Sequence, residues 1–250
     1  MKDKVIIITG GSSGMGKYMA KRFVSEGANV VITGRKAEAL EEAKKEIGDV
    51  LTIAMDVRKP ELVEEMVKRT HEQFGRIDAL INNAAGNFIC PAEKLSINGW
   101  NSVIDIVLNG TFYCSREVGN YWIKTGQKGS IINMVATYAW NAGVGVIHSA
   151  CAKAGVLTMT RTLAVEWGKK YGFRVNAIAP GPIERTGGAD KLVQSDEMAK
   201  RIKESVPLGR FGTPEEIAAV ASFLLSEDAA YINGACITVD GGQWLNQHPF

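Results

Sequence analysis

Short apolar runs rich in β-branched residues alternate with longer segments of helical period along the whole chain. Apolar side chains in the runs stand at consecutive positions, which is typical of strands covered on both faces of a sheet. The predicted strands are residues 5–8, 29–33, 51–55, 79–81, 130–135, 174–178 and 236–239. The predicted helices between them are residues 17–26, 37–47, 61–74, 97–124, 150–171 and 214–225.

This alternation predicts an α/β fold made of βαβ units, with a doubly wound parallel sheet, right-handed crossovers and helices on both faces. The chain has 250 residues, which is enough for one large domain with a filled core. No internal repeat, low-complexity tract or linker divides it. We therefore expect a single domain over residues 1–250.

Composition excludes several other classes of protein. Apolar residues make up 46% of the chain and charged residues 22%, which is ordinary for a globular protein and excludes disorder, collagen and coiled coil. The chain has 29 basic and 27 acidic residues, a net charge of only +2 and no basic block, so we expect no nucleic-acid partner. The longest mostly apolar stretch, residues 217–225, is far shorter than the ~20 residues of a membrane span, so we expect no membrane partner.

Targeting signals and metal-binding patterns are missing from the sequence. The first apolar run, residues 5–8, is too short for a signal-peptide core, and residues 246–250 lack the Ser-Lys-Leu peroxisomal signal. Four scattered cysteines without a C-x-x-C pair, together with three scattered histidines, indicate reduced thiols and no metal site. These features favour a cytoplasmic protein.

Three glycines in the pattern G-x-x-x-G-x-G follow the first predicted strand and directly precede a predicted helix. Glycine permits a tight turn and lets a diphosphate approach the backbone, while the helix N-terminus offers N–H groups and a positive dipole end to the anion. The strand–turn–helix setting favours nucleotide binding over a tight turn without a ligand. We assign cofactor binding to the turn residues Gly10, Ser12, Ser13, Gly14, Met15 and Gly16.

The end of the second strand predicts which dinucleotide binds. Arg35 and Lys36 stand where NAD enzymes place a carboxylate for the adenosine ribose, and an arginine there pairs with a 2′-phosphate. We therefore expect NADPH, the alternative being a solvated pair of cations at a strand end. Further cofactor contacts are expected from Asp56 and Val57 at the adenine and from Asn83 and Ala84 beside the adenosine half.

Four motifs in order resemble those of the short-chain dehydrogenase/reductase family. They are Thr9-Gly-x-x-x-Gly14-x-Gly16, Asn82-Asn-Ala-Ala-Gly86, Asn176-x-x-x-Pro180-Gly181-Pro182 and Asp240-Gly-Gly242, and together they cover nearly the whole chain. The resemblance implies a Rossmann-type seven-stranded sheet, a nicotinamide cofactor and a homotetramer. It also implies that Pro180, Gly181 and Ile183 lie against the nicotinamide.

The chain departs from that family's usual Tyr-x-x-x-Lys catalytic pattern. Lys153 is present, but Ser149 stands four residues before it. Ala136 replaces the usual serine, and Val107 replaces the usual helix asparagine. A serine hydroxyl is a much poorer proton donor than a phenol of pKa ~10, so Ser149 does not simply replace the tyrosine. These departures disfavour ordinary alcohol or ketone chemistry.

The departing residues resemble those of the short-chain 2,4-dienoyl-CoA reductases. That subgroup also has serine in S-x-x-x-K, and it takes its tyrosine from the loop after the fifth strand, eleven residues before the serine, where this chain has Tyr138. Its partner asparagine follows the N-N-A-A-G turn and corresponds to Asn87. The resemblance therefore implies four catalytic residues, with the lysine also binding the nicotinamide ribose: Tyr138, Asn87, Ser149 and Lys153.

The expected reaction is the NADPH-dependent reduction of a 2,4-dienoyl-CoA to an enoyl-CoA in unsaturated fatty-acid β-oxidation, with an acyl-CoA thioester as substrate. Hydride addition to the conjugated chain develops negative charge on the thioester oxygen, which the Tyr138 hydroxyl and the Asn87 amide are expected to stabilise. Two other functions stay open from the residues alone. They are a short-chain alcohol, sugar or 3-oxoacyl dehydrogenase and a non-catalytic NADP(H)-binding regulator.

Plainer structural roles compete with these assignments. Tyr138 is alternatively a loop aromatic beside Trp140, Asn87 a turn residue bonded to its own backbone, and His148 a chance neighbour of the site. Residues 1–130 are expected to hold mainly the cofactor, and residues 131–250 the catalytic and substrate groups. The polar segment 184–205 is expected to form a substrate lid, whose lysines 191, 200 and 203 receive no role.

Overall fold

The computed structural model describes residues 1–187 and 195–246. The strands in these ranges are β1 Val5–Thr9, β2 Asn29–Gly34, β3 Val50–Ala54, β4 Ala79–Asn82, β5 Ser130–Met134, β6 Arg174–Pro180 and β7 Cys236–Val239. They form one parallel seven-stranded sheet in the order β3-β2-β1-β4-β5-β6-β7. The predicted Rossmann-type doubly wound sheet is therefore confirmed.

Helices cover both faces of the sheet. In the described ranges they are α1 Gly14–Ser25, α2 Ala37–Ile47, α3 Pro60–Phe74, α4 Ile97–Ile104, α5 Gly110–Thr125, α6 Ile147–Tyr171, α7 Asp196–Ser205 and α8 Pro214–Leu225. Buried residues of α1, α2 and α8 form one hydrophobic cluster with the sheet, and those of α3 and α5 belong to a second. None of these helices has both the length and the apolar character needed to cross a bilayer.

Consecutive apolar residues in the central strand are buried on opposite faces of the sheet. Ile6 and Ile8 of β1 pack in the cluster under α1 and α8, whereas Ile7 between them packs in the cluster under α3 and α5. All three side chains have 0% exposure. This arrangement explains why the strand sequences are apolar without alternation, because each face of the sheet has its own helical cover.

The position of the site follows from a reversal in strand order. β1 pairs with β2 on one side and with β4 on the other, so the chain leaves β1 in one direction and returns on its opposite edge. The carboxyl ends of β1 and β4 therefore border a crevice, which is where doubly wound folds bind their ligands. The glycine turn after β1 and the loop after β4 meet there.

Three predicted helix boundaries are wrong, and two of the three errors lie at the site. α1 begins at Gly14 and α6 at Ile147, several residues before the predicted starts. Periodic apolar residues mark the part of a helix that packs on the core. These first turns consist largely of glycine and polar residues, so they lack that period. The predicted helix 97–124 is divided by a π-helical turn, Asp105–Asn109, between α4 and α5. Gly110 follows this turn, where a Cβ would lie 2.7 Å from Val57 Cγ2.

A buried polar network ties the two halves of the sheet to the helices beneath the site. Asn82 at the end of β4 donates from Nδ2 to Asn133 Oδ1 on β5 at 2.8 Å and to Ser115 Oγ on α5 at 2.9 Å. Asn133 in turn donates to Thr160 Oγ1 on α6 at 2.9 Å. Hydrogen bonds among buried groups are directional, so this network fixes β4, β5, α5 and α6 relative to one another.

Candidate active site

Backbone conformation or close packing favours glycine at three positions of the turn. Gly10 and Gly14 have φ values of 66° and 49°, which lie in the left-handed region that favours glycine. A Cβ on Gly16 would lie 2.4 Å from the Gly10 carbonyl oxygen and 2.6 Å from Asn83 Nδ2. The predicted reason for the three glycines, a tight turn with close backbone approach, therefore matches the geometry.

Hydrogen bonds from Thr9 and Asn83 attach the loop after β4 to the glycine turn. The Thr9 hydroxyl accepts from the backbone N–H groups of Asn83 and Ala84, both at 3.0 Å. Asn83 Nδ2 donates to the carbonyl oxygens of Thr9 and Gly10, also at 3.0 Å. The structure thus brings Asn83 and Ala84 next to the turn. Thr9 opens the first motif, but its residue type alone does not reveal these main-chain partners.

The N-terminus of α1 retains the donors that a diphosphate needs. Ser13 occupies the N-cap in an extended conformation, and its side chain makes no capping hydrogen bond. The first-turn N–H groups and the positive end of the helix dipole therefore suit an anion. Ser12 lies near the end of β2, where a Cβ on Gly34 would be 3.4 Å from its hydroxyl, and Met15 packs partly against the core. The turn fits a dinucleotide diphosphate.

The ends of β2 and β3 carry exposed cations beside a hydrogen-bonded carboxylate. Arg35 and Lys36 directly follow β2 and are exposed. Asp56 accepts hydrogen bonds from Arg58, which holds the pKa of the carboxyl below its usual value against the effect of partial burial, and the charge of Arg35 acts in the same direction. The Val57 side chain packs towards Gly110, so a cofactor contact at this position would use its backbone.

Tyr138 and Ser149 meet directly. Tyr138 lies in a 3₁₀ turn, Thr137–Ala139, after β5, and its hydroxyl is 3.1 Å from the Ser149 hydroxyl on the first turn of α6. Burial raises the pKa of Tyr138, with the Ser149 bond acting in the opposite direction. The phenol therefore stays protonated at neutral pH and keeps its hydrogen-bond donor. The neighbouring Trp140 packs against Trp244, with ring centroids 5.8 Å apart.

Lys153 lies one helical turn after Ser149 and is buried, with 7% of its surface exposed. Its Nζ donates a hydrogen bond to the carbonyl oxygen of Met134 at the end of β5. Burial lowers the pKa of Lys153 from 10.5 to about 8. A long cationic side chain is seldom buried without a role, so these observations favour function over a surface position. The sequence did not reveal Met134 as a partner, because the acceptor is its backbone.

Asn87 lies in the loop after β4, and this loop is joined to the segment that carries Tyr138. Asn87 Oδ1 accepts a hydrogen bond from the Phe88 amide at 2.9 Å, which matches the turn role considered above. That bond uses the side-chain oxygen, whereas the proposed donor is the side-chain nitrogen. The loop also bonds across to the start of α6, since the Cys90 amide donates to the Gly145 carbonyl at 2.9 Å.

Apolar side chains occupy the two positions where short-chain carbonyl reductases usually carry the catalytic serine and asparagine. Ala136 has 9% exposure and Val107 has 1%, and Val107 packs in a third hydrophobic cluster with residues of α6. Neither side chain can donate or accept a proton. Of the usual four groups only the lysine keeps its position, and a tyrosine reaches the site from a different point of the chain.

The residues after β6 border the crevice on its remaining side. Pro180 ends β6, and a Cβ on Gly181 would lie 2.5 Å from Asp240 Cβ, so this position requires glycine. Ile183 is buried and forms a bridge with Gly212. Thr186 was not singled out by the sequence analysis, yet it is buried beside the glycine turn, where a Cβ on Gly14 would lie 3.6 Å from Thr186 Cγ2.

No cluster of three or more potential metal ligands occurs within residues 1–187 and 195–246. The four cysteines, all in this part of the chain, are free thiols. Lys191 and the last four residues, 247–250, lie outside the described residues, and with them part of the segment 184–205. The expectation that the protein needs no metal stays a prediction.

A doubly wound sheet with an open glycine turn at the end of β1, and a buried lysine beside a tyrosine–serine pair, defines an oxidoreductase of the Rossmann type that uses a nicotinamide cofactor. The family model described as enoyl-(acyl carrier protein) reductase matches residues 10–243. The chain belongs to the short-chain dehydrogenase/reductase family, as its motifs indicated.

Named relatives match nearly the whole chain. A probable 2,4-dienoyl-CoA reductase, (2E)-enoyl-CoA-producing, of Bacillus subtilis (strain 168) is 65% identical over 254 aligned residues and covers 100% of both chains. A peroxisomal 2,4-dienoyl-CoA reductase, (3E)-enoyl-CoA-producing, of Danio rerio is 42% identical over 98% of this chain and 83% of its own. The crystal structure of a short chain dehydrogenase from Bacillus anthracis str. 'Ames Ancestor' is 68% identical, with a TM-score of 0.92 over 98% of each chain.

The lowered pKa of Lys153 predicts an alkaline limit to cofactor capture. Its ammonium loses a proton above about pH 8 in the free enzyme, so kcat/KM for the reduced cofactor should fall about tenfold per pH unit above that value. The bound anionic cofactor favours the charged amine, so the limit in kcat should lie at higher pH than the limit in kcat/KM. Steady-state rates from pH 6 to 10 measure both limits, and coincident limits would contradict this reading. The Lys153→Arg variant, which stays charged, should show no limit near pH 8.

Proposed function

We propose that the protein reduces 2,4-dienoyl-CoA esters to enoyl-CoA with NADPH, as a step of unsaturated fatty-acid β-oxidation. The observation that carries this proposal is the contact between Tyr138 and Ser149, 3.1 Å apart, one helical turn before the buried Lys153. The tyrosine arrives from the loop after β5, and Ala136 and Val107 fill the positions of a ketone reductase's polar groups. The names of the Bacillus subtilis and Danio rerio relatives support the same reaction.

The chemistry requires donors for a developing oxyanion. The reduced nicotinamide supplies a hydride to the far end of the conjugated chain when it is bound in the crevice. Negative charge then moves through the diene to the thioester oxygen. Tyr138, kept protonated by burial, and Asn87 donate hydrogen bonds to that oxygen, and each such donor typically contributes ~10²–10³ in rate. The product forms when the resulting dienolate takes up a proton at carbon.

Ser149 and Lys153 support these donors. The Ser149 hydroxyl is bonded to the phenol oxygen and so holds the ring of Tyr138 in one orientation. Lys153 would hold the nicotinamide ribose, and its buried charge would stabilise the electron-rich thioester. Held to the end of β5 by the Met134 carbonyl, the lysine keeps its place before either ligand arrives. Pro180, Gly181 and Ile183 would form the surface against the nicotinamide.

Exposed cations after β2 support NADPH as the reduced cofactor. Arg35 and Lys36 directly follow β2 and are exposed, and neither of these two positions carries an acidic residue. Asp56, the carboxylate that follows β3, is hydrogen-bonded to Arg58. It is therefore not a close partner of Arg35. Asp56 and Val57 remain proposed contacts for the adenine.

The substrate half, the lid and the assembly are part of the same proposal. Segment 184–205 would cover the acyl-CoA, and α7 within it has no buried residue, which suits an element that moves. We propose a cytoplasmic homotetramer without nucleic-acid or membrane partners. Phe223 on α8 and Val165 on α6 support assembly, because they are apolar yet 45% and 78% exposed. Light scattering measures the number of subunits, and a monomer at micromolar concentration would refute the tetramer.

The substrate assay compares a 2,4-dienoyl thioester with a 3-oxoacyl thioester. With NADPH and 2,4-hexadienoyl-CoA, we expect loss of both the cofactor and the diene absorbance, in a ratio of one to one. Acetoacetyl-CoA should be reduced far more slowly, because Ala136 and Val107 cannot assist protonation of a ketone. Faster turnover of acetoacetyl-CoA would favour the dehydrogenase alternative. Tight NADPH binding without single-turnover hydride transfer to either thioester would favour the non-catalytic regulator.

Replacing Tyr138 by phenylalanine removes one oxyanion donor and keeps the ring. We expect kcat with the dienoyl ester to fall by about 100-fold, with little change in KM for NADPH. Tyr121→Phe is a matched control. The Tyr121 hydroxyl is 3.0 Å from His71 Nδ1, and this pair lies away from the site. A Tyr138→Phe variant with wild-type kcat would exclude the phenol from the mechanism.

Replacing Arg35 by alanine should weaken discrimination between the two nicotinamide cofactors. A charge-assisted bond to a phosphate is worth ~1.5–3 kcal/mol, so KM for NADPH should rise by about 10–100-fold while KM for NADH stays the same. Lys68→Ala removes the same charge from the exposed surface of α3 and should change neither constant. An equal rise for both cofactors in Arg35→Ala would show that the arginine does not bind the 2′-phosphate.

A further inference from the structure

The first turn of α6 contains a histidine to which the proposed mechanism gives no role. His148 has 0% exposure, and neither of its ring nitrogens has a hydrogen-bond partner among the described residues. Buried polar atoms are normally bonded, and an unbonded one costs free energy. A smaller apolar side chain would avoid that cost, so the imidazole calls for a physical explanation.

The ring of His148 packs against the loop that carries Asn87. Its edge meets the ring of Phe88, with the two ring centroids 4.5 Å apart and an interplanar angle of 60°. Phe88 directly follows Asn87, and its amide donates to the Asn87 side chain. The tip of the Phe88 ring also lies beside α4, where a Cβ on Gly99 would be 3.1 Å from it. Phe88 therefore links the start of α4 to the start of α6.

A second contact joins the same two segments nearby. The Cys90 amide donates to the Gly145 carbonyl at 2.9 Å, and a Cβ on Gly145 would lie 2.9 Å from Ile89 Cγ2. The loop 87–90 thus lies along the segment that leads into α6, with the ring contact at one point and the backbone bond at the other. Neither contact uses the side chain of a proposed catalytic residue.

Adjacent residues of α6 therefore reach the two proposed oxyanion donors by different routes. Ser149 bonds the hydroxyl of Tyr138, whereas His148 holds Phe88, the residue after Asn87. We infer that His148 is a positioning residue, whose neutral ring packs the Asn87 loop against α6 so that the Asn87 amide and the Tyr138 hydroxyl address one oxygen. This inference rests on the proposed function for the identity of that oxygen, but not for the packing itself.

The contact suits a neutral ring. Burial lowers the pKa of His148 below its ordinary value of 6.5, with the Phe88 backbone opposing this, and no charged group takes part. The titratable groups on the adjoining segments include Cys90, Tyr138, Cys151 and Lys153, of which Tyr138 and Lys153 offer no negative charge at neutral pH. An imidazolium here would be a desolvated charge, so protonation should loosen the loop.

A double-mutant cycle tests the inference in the full-length enzyme. His148→Asn and Phe88→Leu each remove the ring contact and should lower kcat for the dienoyl ester by about tenfold, with KM for NADPH unchanged, because small displacements of catalytic groups are costly. If the two residues act through each other, the double variant should also lose about tenfold rather than a hundredfold. Independent losses that multiply, or wild-type kcat in either single variant, would overturn the inference.

The pH dependence of the rate gives a further readout. The rate of the wild-type enzyme should fall below pH 6.5 by an extra component that His148→Asn lacks, and identical acid limbs would contradict the role of the neutral ring. His71→Asn is the matched control, because His71 bonds Tyr121 at the surface, and it should leave kcat and the acid limb unchanged. Should His148→Asn fail to fold, Phe88→Leu decides the question, since Phe88 is 37% exposed and its replacement should cost less stability.

Hydrogen exchange separates this inference from the proposed function. The Cys90 amide bonds the Gly145 carbonyl, so its exchange reports directly whether the two segments stay together. It should become at least tenfold faster in Phe88→Leu, while exchange in β1 and β4 stays the same. Unchanged exchange at Cys90 would overturn the inference even if the enzyme reduces dienoyl-CoA. A wild-type enzyme without turnover would refute the proposed function and leave the exchange result to judge the packing.

Discussion

The burial of the Lys153 ammonium is the constraint on which the rest of the site depends. A buried amine tends to lose its charge, and here desolvation lowers its pKa to about 8. The Met134 carbonyl accepts its hydrogen bond, and this carbonyl lies at the end of β5, where strand register fixes its position. Because the lysine is anchored to the sheet, α6 must present Ser149 one turn earlier at the same edge. The tyrosine that meets Ser149 must then come from the short segment between β5 and α6.

This anchoring also explains how one scaffold accommodates different donors. The sheet edge and the lysine fix where a cofactor and a reacting carbon would lie, but they leave the source of the donors open. Val107 belongs to a packed apolar cluster, so the π-helical turn between α4 and α5 serves here as a wall and not as a source of an amide. The proposed donors, Tyr138 and Asn87, lie in the loops after β5 and β4. An oxyanion requires only well-placed N–H and O–H groups, so loops suffice if their positions are fixed.

The fold was more predictable than the site. The central strand β1 is apolar on both faces because both faces are covered, so the consecutive isoleucines Ile6, Ile7 and Ile8 were enough to predict a covered strand. The glycines were predictable for a similar reason, since at Gly16 any side chain would collide with the Gly10 carbonyl. The helix starts at Gly14 and Ile147 were not, because no apolar period marks these first turns. Tyr138 was predictable only through a resemblance, since its partner Ser149 comes from another element and the spacing alone also allows a packed loop aromatic.

Backbone acceptors and shared packing account for what the sequence did not reveal. Thr9 binds the loop after β4 through main-chain N–H groups, and Lys153 is held by a main-chain carbonyl, so neither partnership has a signature in residue type. His148 is a further case, because a histidine beside a site reads as a candidate acid or base until its burial is known. Its buried ring meets the ring of Phe88, and packing is the role inferred for it above. A titratable side chain near an active site therefore becomes informative only when its surroundings show whether its proton can move.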